Sequence, residues 1–326
     1  MVDKAAPIFV AGHRGLVGSA VVRALQARGY SNIVVRTRRE LDLTDAIATS
    51  AFFQSVRPQA VYMCAAKVGG ILANATLPAE FIRENLAIQT NVIHEAWRAS
   101  VERLLFMGSS CIYPRDAPQP LKENYLLTGP LEATNRPYAL AKIAGVEMCW
   151  SYNRQYGTRY LATMPTNLYG PNDNYDLESS HVLAALIRKM HDAHTSGAPS
   201  IELWGTGSPK REFLYCDDLA DGCLHLLELD DALFEPLVAP EALPLVNIGV
   251  GEDISIRELA EMVAKTVGFE GEIAWDSSKP DGTPRKLLDV SAMAALGWRA
   301  GTSLADGITK TYKLYADSLQ GGRLSV

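Results

Sequence analysis

The chain has 326 residues, 48% of them hydrophobic and 21% charged, with 31 Lys and Arg against 37 Asp and Glu for a net charge of −6. That composition is too apolar for a disordered chain, and its acidic balance argues against nucleic acid as a partner. No apolar run approaches the ~20 residues of a membrane-spanning helix, so no membrane association is expected.

The predicted elements alternate strand and helix. Residues 7–11 form a short apolar strand ending at Gly12. Residues 16–28 set Val17, Val21, Ala24 and Leu25 at helical spacing, with Gly29 as the stop. A strand over 33–35, a helix near 45–56 and a strand over 60–66 follow, then a long helix over about 79–100 and a strand over 103–107. This rhythm predicts an α/β fold, a Rossmann-type doubly wound parallel sheet. After Gly170-Pro171 the pattern changes: residues 171–180 are loop-like, 181–194 helical, and 201–205 and 245–249 strands. Residues 1–170 plus 212–249 are therefore read as a dinucleotide-binding domain, and 171–211 plus 250–326 as a smaller, mainly C-terminal substrate lobe. The cleft between them is expected at the carboxyl ends of the strands.

Gly12-His13-Arg14-Gly15-Leu16-Val17-Gly18 sits between the first strand and the first helix. Glycines at this spacing permit a tight turn, backbone approach to a pyrophosphate and close helix–sheet packing, and the helix start offers unpaired N–H donors. His13 is read as contributing backbone. The second strand ends in Arg36-Thr37-Arg38-Arg39 where an NAD site carries an acidic residue. With Arg14 these guanidiniums suit a 2′-phosphate, so NADP is the expected cofactor. Asp42 either accepts from the adenine amino group or caps the next helix.

Tyr138 and Lys142 form Tyr-x-x-x-Lys just after Pro137, which places both side chains on one helix face. A neighbouring ammonium is expected to lower the phenol's pKa so that it trades protons near neutrality. Ser109, at the end of the 103–107 strand, is placed to donate to a carbonyl beside Tyr138.

Glycine loop, strand-end serine and Tyr-x-x-x-Lys together resemble the extended short-chain dehydrogenase/reductase superfamily. Six stretches narrow the likeness: 12–18, 65–71 (Ala-Ala-Lys-Val-Gly-Gly-Ile), 108–114 (Gly-Ser-Ser-Cys-Ile-Tyr-Pro), 165–171 (Pro-Thr-Asn-Leu-Tyr-Gly-Pro), 211–214 (Arg-Glu-Phe-Leu) and 279–286 (Lys-Pro-Asp-Gly-Thr-Pro-Arg-Lys). Spread over essentially the whole chain, they resemble the GDP-L-fucose synthase family. The resemblance implies NADPH-dependent conversion of GDP-4-keto-6-deoxy-D-mannose to GDP-L-fucose, by epimerisation at C3 and C5 and reduction at C4. Another nucleotide-sugar epimerase or reductase of the superfamily is the alternative; a non-catalytic NADP sensor would not need the Tyr-x-x-x-Lys pair.

The resemblance assigns Cys111 as the epimerisation base and His181 as the acid, with Ser109, Tyr138 and Lys142 completing the catalytic set. A thiol only modestly perturbed from about 8.5 would serve as such a base. Cofactor contacts are implied at Met107, Gly108, Lys142, Pro165, Thr166, Asn167, Leu168 and His181, besides the glycine loop, Arg38 and Asp42. For the GDP moiety, Arg211 and Lys189 are the phosphate candidates. Trp204 either lines the guanosine pocket or packs the lobe, and Asp281 either accepts from the ligand or merely makes a turn. The resemblance implies a homodimer formed through helices flanking the Tyr-x-x-x-Lys region, where Cys149-Trp150 either suits an interface or faces the core. Cys64, Cys149, Cys216 and Cys223 are read as buried hydrophobes. Five cysteines without CxxC or Cys/His spacing predict no disulfide framework and no metal. Residues 1–7 lack the pattern of a secretory leader, which makes the reducing cytosol the expected compartment.

Overall fold

The computed structural model describes residues 2–177, 179–279 and 281–320. Met1, Glu178 of the expected 171–180 loop, Pro280 of the 279–286 motif and the last six residues of the expected lobe lie outside the described residues.

The first half alternates as β1 (Ile8–Ala11), α1 (Leu16–Ala27), β2 (Ile33–Val34), α2 (Ala46–Val56), β3 (Ala60–Met63), α3 (Ile71–Thr76), α4 (Pro78–Arg98), β4 (Arg103–Met107), α5 (Arg136–Tyr156) and β5 (Tyr160–Pro165). The second half runs β6 (Asn167–Tyr169), α6 (Val182–Ser196), β7 (Ser200–Trp204), β8 (Lys210–Arg211), β9 (Phe213–Tyr215), α7 (Cys216–Glu228), α8 (Asp231–Val238), β10 (Leu245–Ile248), β11 (Ile254–Ser255), α9 (Ile256–Val267), β12 (Glu272–Asp276), β13 (Arg285–Lys286), α10 (Ser291–Ala295) and α11 (Leu304–Gln320). Six strands form one parallel sheet in the order β10-β5-β4-β3-β1-β2. The chain leaves β1 for β2 on one side and crosses to β3 on the other, which makes the carboxyl ends of β1 and β3 the topological switch point.

Period-2 alternation divides the sheet's side chains between two cores. Ile8, Val10, Tyr62, Leu105 and Leu161 face α1 and α7, whereas Phe9, Ala11, Met63, Phe106 and Ala162 face α2, α4 and α5. A third apolar cluster gathers Leu186, Ile187 and Met190 of α6, Leu259 and Val263 of α9, and Ile308 and Tyr315 of α11. Around it lie only small sheets: β11-β8-β13, β12-β7 and β6-β9. No described helix is long and apolar enough to cross a membrane.

Three local expectations are corrected. The strand expected over 60–66 ends at Met63, and residues 64–69 leave the sheet to line a cleft. The short helix α3 was not anticipated. Asp42 does not cap α2: Asp45 does, accepting from the backbone N–H groups of Ile47 and Ala48, while Asp42 accepts from Thr44.

Candidate active site

A cleft of about 600 Å³ opens at the switch point, walled by the ends of β1, β3, β4 and β5 and by residues 172–174 and 179–181 of the loop before α6. That loop is tied back to the sheet domain: Gly70 N–H donates to Ser179 O at 3.0 Å, and the Asn172 amide donates to Ser19 Oγ at 3.0 Å.

At one end lies the glycine turn. Gly12 has φ +83°, and a Cβ there would meet Ala65 N at 2.8 Å; a Cβ on Gly18 would meet Gly12 O at 2.2 Å. Only glycine at these positions lets the turn close between two strands and the helix. The N-terminus of α1 has no side-chain cap and no acidic residue in its first turn, so its N–H groups and dipole are free for an anion. The adjoining mouth is lined by His13, Arg14, Arg36, Arg38 and Arg39, and His13 Nδ1 is buried without a hydrogen-bond partner. Burial, with Arg14 beside it, lowers the His13 pKa. An uncapped helix start, an orphaned ring nitrogen and four guanidiniums fit a dinucleotide with a 2′-phosphate. The Arg38 side chain is 70% exposed and pairs loosely, at 3.5 Å each, with Asp42 and Glu84. Glu84, which also accepts from Lys67 at 3.1 Å, is a cleft residue that the sequence reading missed. A lone carboxylate inside an amphipathic helix carries no signal of its own.

The hydroxyl and ammonium groups sit midway. Arg136 starts α5 and Pro137 is its second residue, and the helix lies across β4, so that Lys142 Nζ donates to Met107 O at 2.8 Å above the Phe106 ring. Tyr138 packs edge-on against Phe81 at 6.1 Å. The Ser109 hydroxyl lies near both the Tyr138 phenol and the Cys111 thiol and works to lower the pKa of each. One hydroxyl therefore joins the two groups that the sequence assigned to different steps. Their protonation departs from expectation. Burial, reinforced by the Cys111 thiol, raises the Tyr138 pKa rather than lowering it, and it pulls Lys142 down to about 8. The ammonium is spent on the Met107 carbonyl and does not offset desolvation of the phenol.

Cys111 lies in the turn after β4, buried behind the cleft wall. Burial pushes its thiol up, against the opposing pull of Ser109, Lys286 and Lys142. His181 stands at the N-terminal end of α6 and lines the cleft; its residue is exposed to solvent, yet desolvation holds its imidazole below the ordinary value. Both shifts favour the neutral forms, the thiol and the uncharged imidazole. Lys286 was also missed as a separate site residue. The parallel register of β13 with β8 sets it beside Arg211, and its charge bears on Cys111.

All the residues expected to contact the cofactor line the cleft or its mouth; Cys111, Lys189, Trp204, Arg211 and Asp281 do not. Arg211 and Lys286 are adjacent cations, both lowered by burial, with Asp281 raising Arg211. Trp204 is 67% exposed and does not pack the lobe; Lys279 lies over its ring at 5.7 Å. Asp281 accepts from Thr206 N–H at 2.9 Å and Thr206 Oγ1 at 2.7 Å, so it braces a turn. Lys189 donates to Glu202 O at 3.3 Å. Cys149 is buried in the core beneath α5 and is not at a surface. Among the described residues no group of three or more His, Cys, Asp or Glu could hold a metal ion.

Comparison with known proteins agrees with this geometry. The family model described as "NAD dependent epimerase/dehydratase family" matches residues 8–239. The chain is 56% identical over 315 residues to GDP-L-fucose synthase 1 of Arabidopsis thaliana, covering 97% of this chain and 94% of that one. Its structure resembles a GDP-6-OMe-4-keto-L-xylo-heptose reductase from C. jejuni, with TM-score 0.91 and 38% identity over 97% of this chain and 99% of that one. It also resembles a GDP-L-fucose synthetase from Naegleria fowleri bound to NADP, with TM-score 0.86 and 25% identity over 98% and 97% of the two chains. With a glycine turn, a Ser109–Tyr138–Lys142 set and near-complete coverage of such relatives, the chain belongs to the NAD dependent epimerase/dehydratase family and, within it, to the GDP-L-fucose synthase group.

Proposed function

We propose that the protein is an NADPH-dependent 3,5-epimerase and 4-reductase that converts GDP-4-keto-6-deoxy-D-mannose to GDP-L-fucose. The observation that carries this reading is one hydroxyl, Ser109, set near both the Tyr138 phenol and the Cys111 thiol and opposing the burial that raises each. All three chemical steps polarise the same ketone, so one hydroxyl pair serves them all. C3 and C5 flank the C4 carbonyl. Cys111 takes the proton from each carbon, and the electron pair moves onto the C4 oxygen, where Ser109 and Tyr138 hold the developing charge. His181, which lines the cleft, returns a proton to the other face and inverts the centre. Bound NADPH supplies the hydride for C4. Tyr138 gives the C4 oxygen its proton, and Lys142 and Met107 O fix the helix face that carries the phenol. The glycine turn, Arg14 and Arg38 would hold the cofactor phosphates; Arg211, Lys189 and Lys286 would hold the diphosphate of the sugar nucleotide, with Trp204 at the base.

The two-part division at residues 170/171, 211/212 and 249/250 belongs to the same proposal, with a homodimer as its assembly. Supporting the dimer, α4 and α5 present a stack of Trp97 on Tyr156 at 4.3 Å, and Tyr156 is exposed. Five unpaired cysteines suit a reducing cytosol.

The test is incubation with GDP-4-keto-6-deoxy-D-mannose and NADPH in D₂O, followed by product NMR. GDP-L-fucose carrying deuterium at C3 and C5 is expected. Cys111→Ser should lose that wash-in far more than it loses NADPH oxidation. The structural likeness to a C4 reductase supports a second reading, reduction alone; a C4-reduced product without deuterium at either neighbour would establish it.

A further inference from the structure

The structure assigns Glu212 the role of a positioning residue that ties the cofactor side of the cleft to the cations of the substrate side. This inference rests on the GDP-sugar reading above. Glu212 is fully buried between β8 and β9, where the chain passes from the β11-β8-β13 sheet into the β6-β9 pair. Both of its polar ends are used. Its main-chain carbonyl accepts from Thr166 Oγ1 at 3.1 Å and from the Asn167 amide at 2.8 Å, two residues of the cofactor wall. Its carboxylate reaches the other way: Oε1 accepts from the N–H groups of Val250 at 2.6 Å and Gly251 at 2.8 Å, and Oε2 from that of Leu288 at 2.9 Å.

Leu288 is two residues past Lys286, and Arg211 directly precedes Glu212. The carboxylate thus fixes the strand end bearing one phosphate-side cation from the backbone bearing the other. Gly249 makes room for it, since a Cβ there would stand 2.2 Å from Oε1. A buried carboxylate satisfied by three backbone donors is costly to disturb and rigid while intact. Neither β8 nor β13 exceeds two residues, so strand pairing alone gives Arg211 and Lys286 little support.

Glu212→Gln tests this. One amide oxygen can still serve Val250 and Gly251, but the amide N–H₂ then faces the Leu288 N–H, donor against donor. GDP and NADPH binding are measured separately by calorimetry on the full chain, followed by KM and kcat. The expected result is GDP affinity weakened about tenfold and KM for the sugar nucleotide raised similarly, with NADPH affinity within about twofold of the parent. Gly249→Ala, which crowds the same oxygen without replacing Glu212, should reproduce this split. GDP binding unchanged in both variants, or NADPH and GDP weakened together, overturns the inference. A parent protein that fails to bind GDP at all would overturn the functional reading instead.

Discussion

The two sides of the cleft reach their precision by different means. On the cofactor side, Gly12, Ser109 and Pro165 stand at or just past the ends of β1, β4 and β5, and a six-stranded parallel sheet with a core on each face sets their spacing. On the substrate side, Arg211 and Lys286 sit in two-residue strands, and Trp204 ends a strand paired on one edge only. There the geometry depends on individual carboxylates, with Asp281 bracing the 205–207 turn and Glu212 clamping the backbone near both cations. A sheet distributes load over many bonds, whereas a clamp concentrates it in a few. Substitutions of similar chemistry should therefore act locally on the first side and propagate along the second.

The largest expected effect is on the sheet-borne chemistry. Tyr138→Phe removes one proton donor without moving the helix, so NADPH oxidation should fall roughly 10²–10⁴-fold. Deuterium wash-in at C3 and C5 should fall less, because Ser109 still holds the carbonyl oxygen. Equal losses would mean that the two steps do not share the hydroxyl as drawn. Next comes a paired measurement across the cleft. Arg211→Ala should raise KM for the sugar nucleotide about 10- to 100-fold and leave NADPH binding alone. Arg38→Ala should weaken NADPH about tenfold and spare NADH, a smaller effect because its guanidinium is largely solvated. Losses that cross over between the ligands would break the division into two sides.

The smallest effect is a pH signature. Burial lowers Lys142 from 10.5 to about 8. Between those values the unfolded chain holds a proton that the folded chain has released, so this group's contribution makes stability rise with pH across that window. The gain is about 3 kcal/mol at most. Buried tyrosines and thiols, whose pKa values are raised, act in the opposite sense, so the measurement is the difference between parent and Lys142→Met in urea unfolding at pH 7.5, 9 and 10.5. A difference that does not change with pH would show that Lys142 is not desolvated.

The contrast also explains what the sequence disclosed. Strand β4 is legible to the residue because the apolar run Leu104–Met107 is bounded by Arg103 and Gly108. The 60–66 run overshoots because Cys64, Ala65 and Ala66 are small and apolar yet leave the sheet. Helix α3 escaped notice because Ala, Asn and Thr after a glycine pair give no clear periodicity. Within the site, the glycine turn and Tyr138–Lys142 are local patterns and could be read directly. Lys286, Glu84 and Glu212 could not: their partners come from separate stretches of chain, and no spacing announces them. Nor could protonation be read from proximity in sequence, since burial outweighs the Tyr138–Lys142 neighbourhood.

Burial of the sulfur atoms has a chemical corollary. Cys64, half-exposed at the cleft, is pushed up to about 12, and Cys111, Cys149, Cys216 and Cys223 are all shifted the same way. Alkylating agents and peroxide attack thiolates, so the resting fold should be slow to label with iodoacetamide and slow to form sulfenic acid. A protein that keeps five thiols in this condition is shielded from oxidative loss through the same desolvation that restrains its own base.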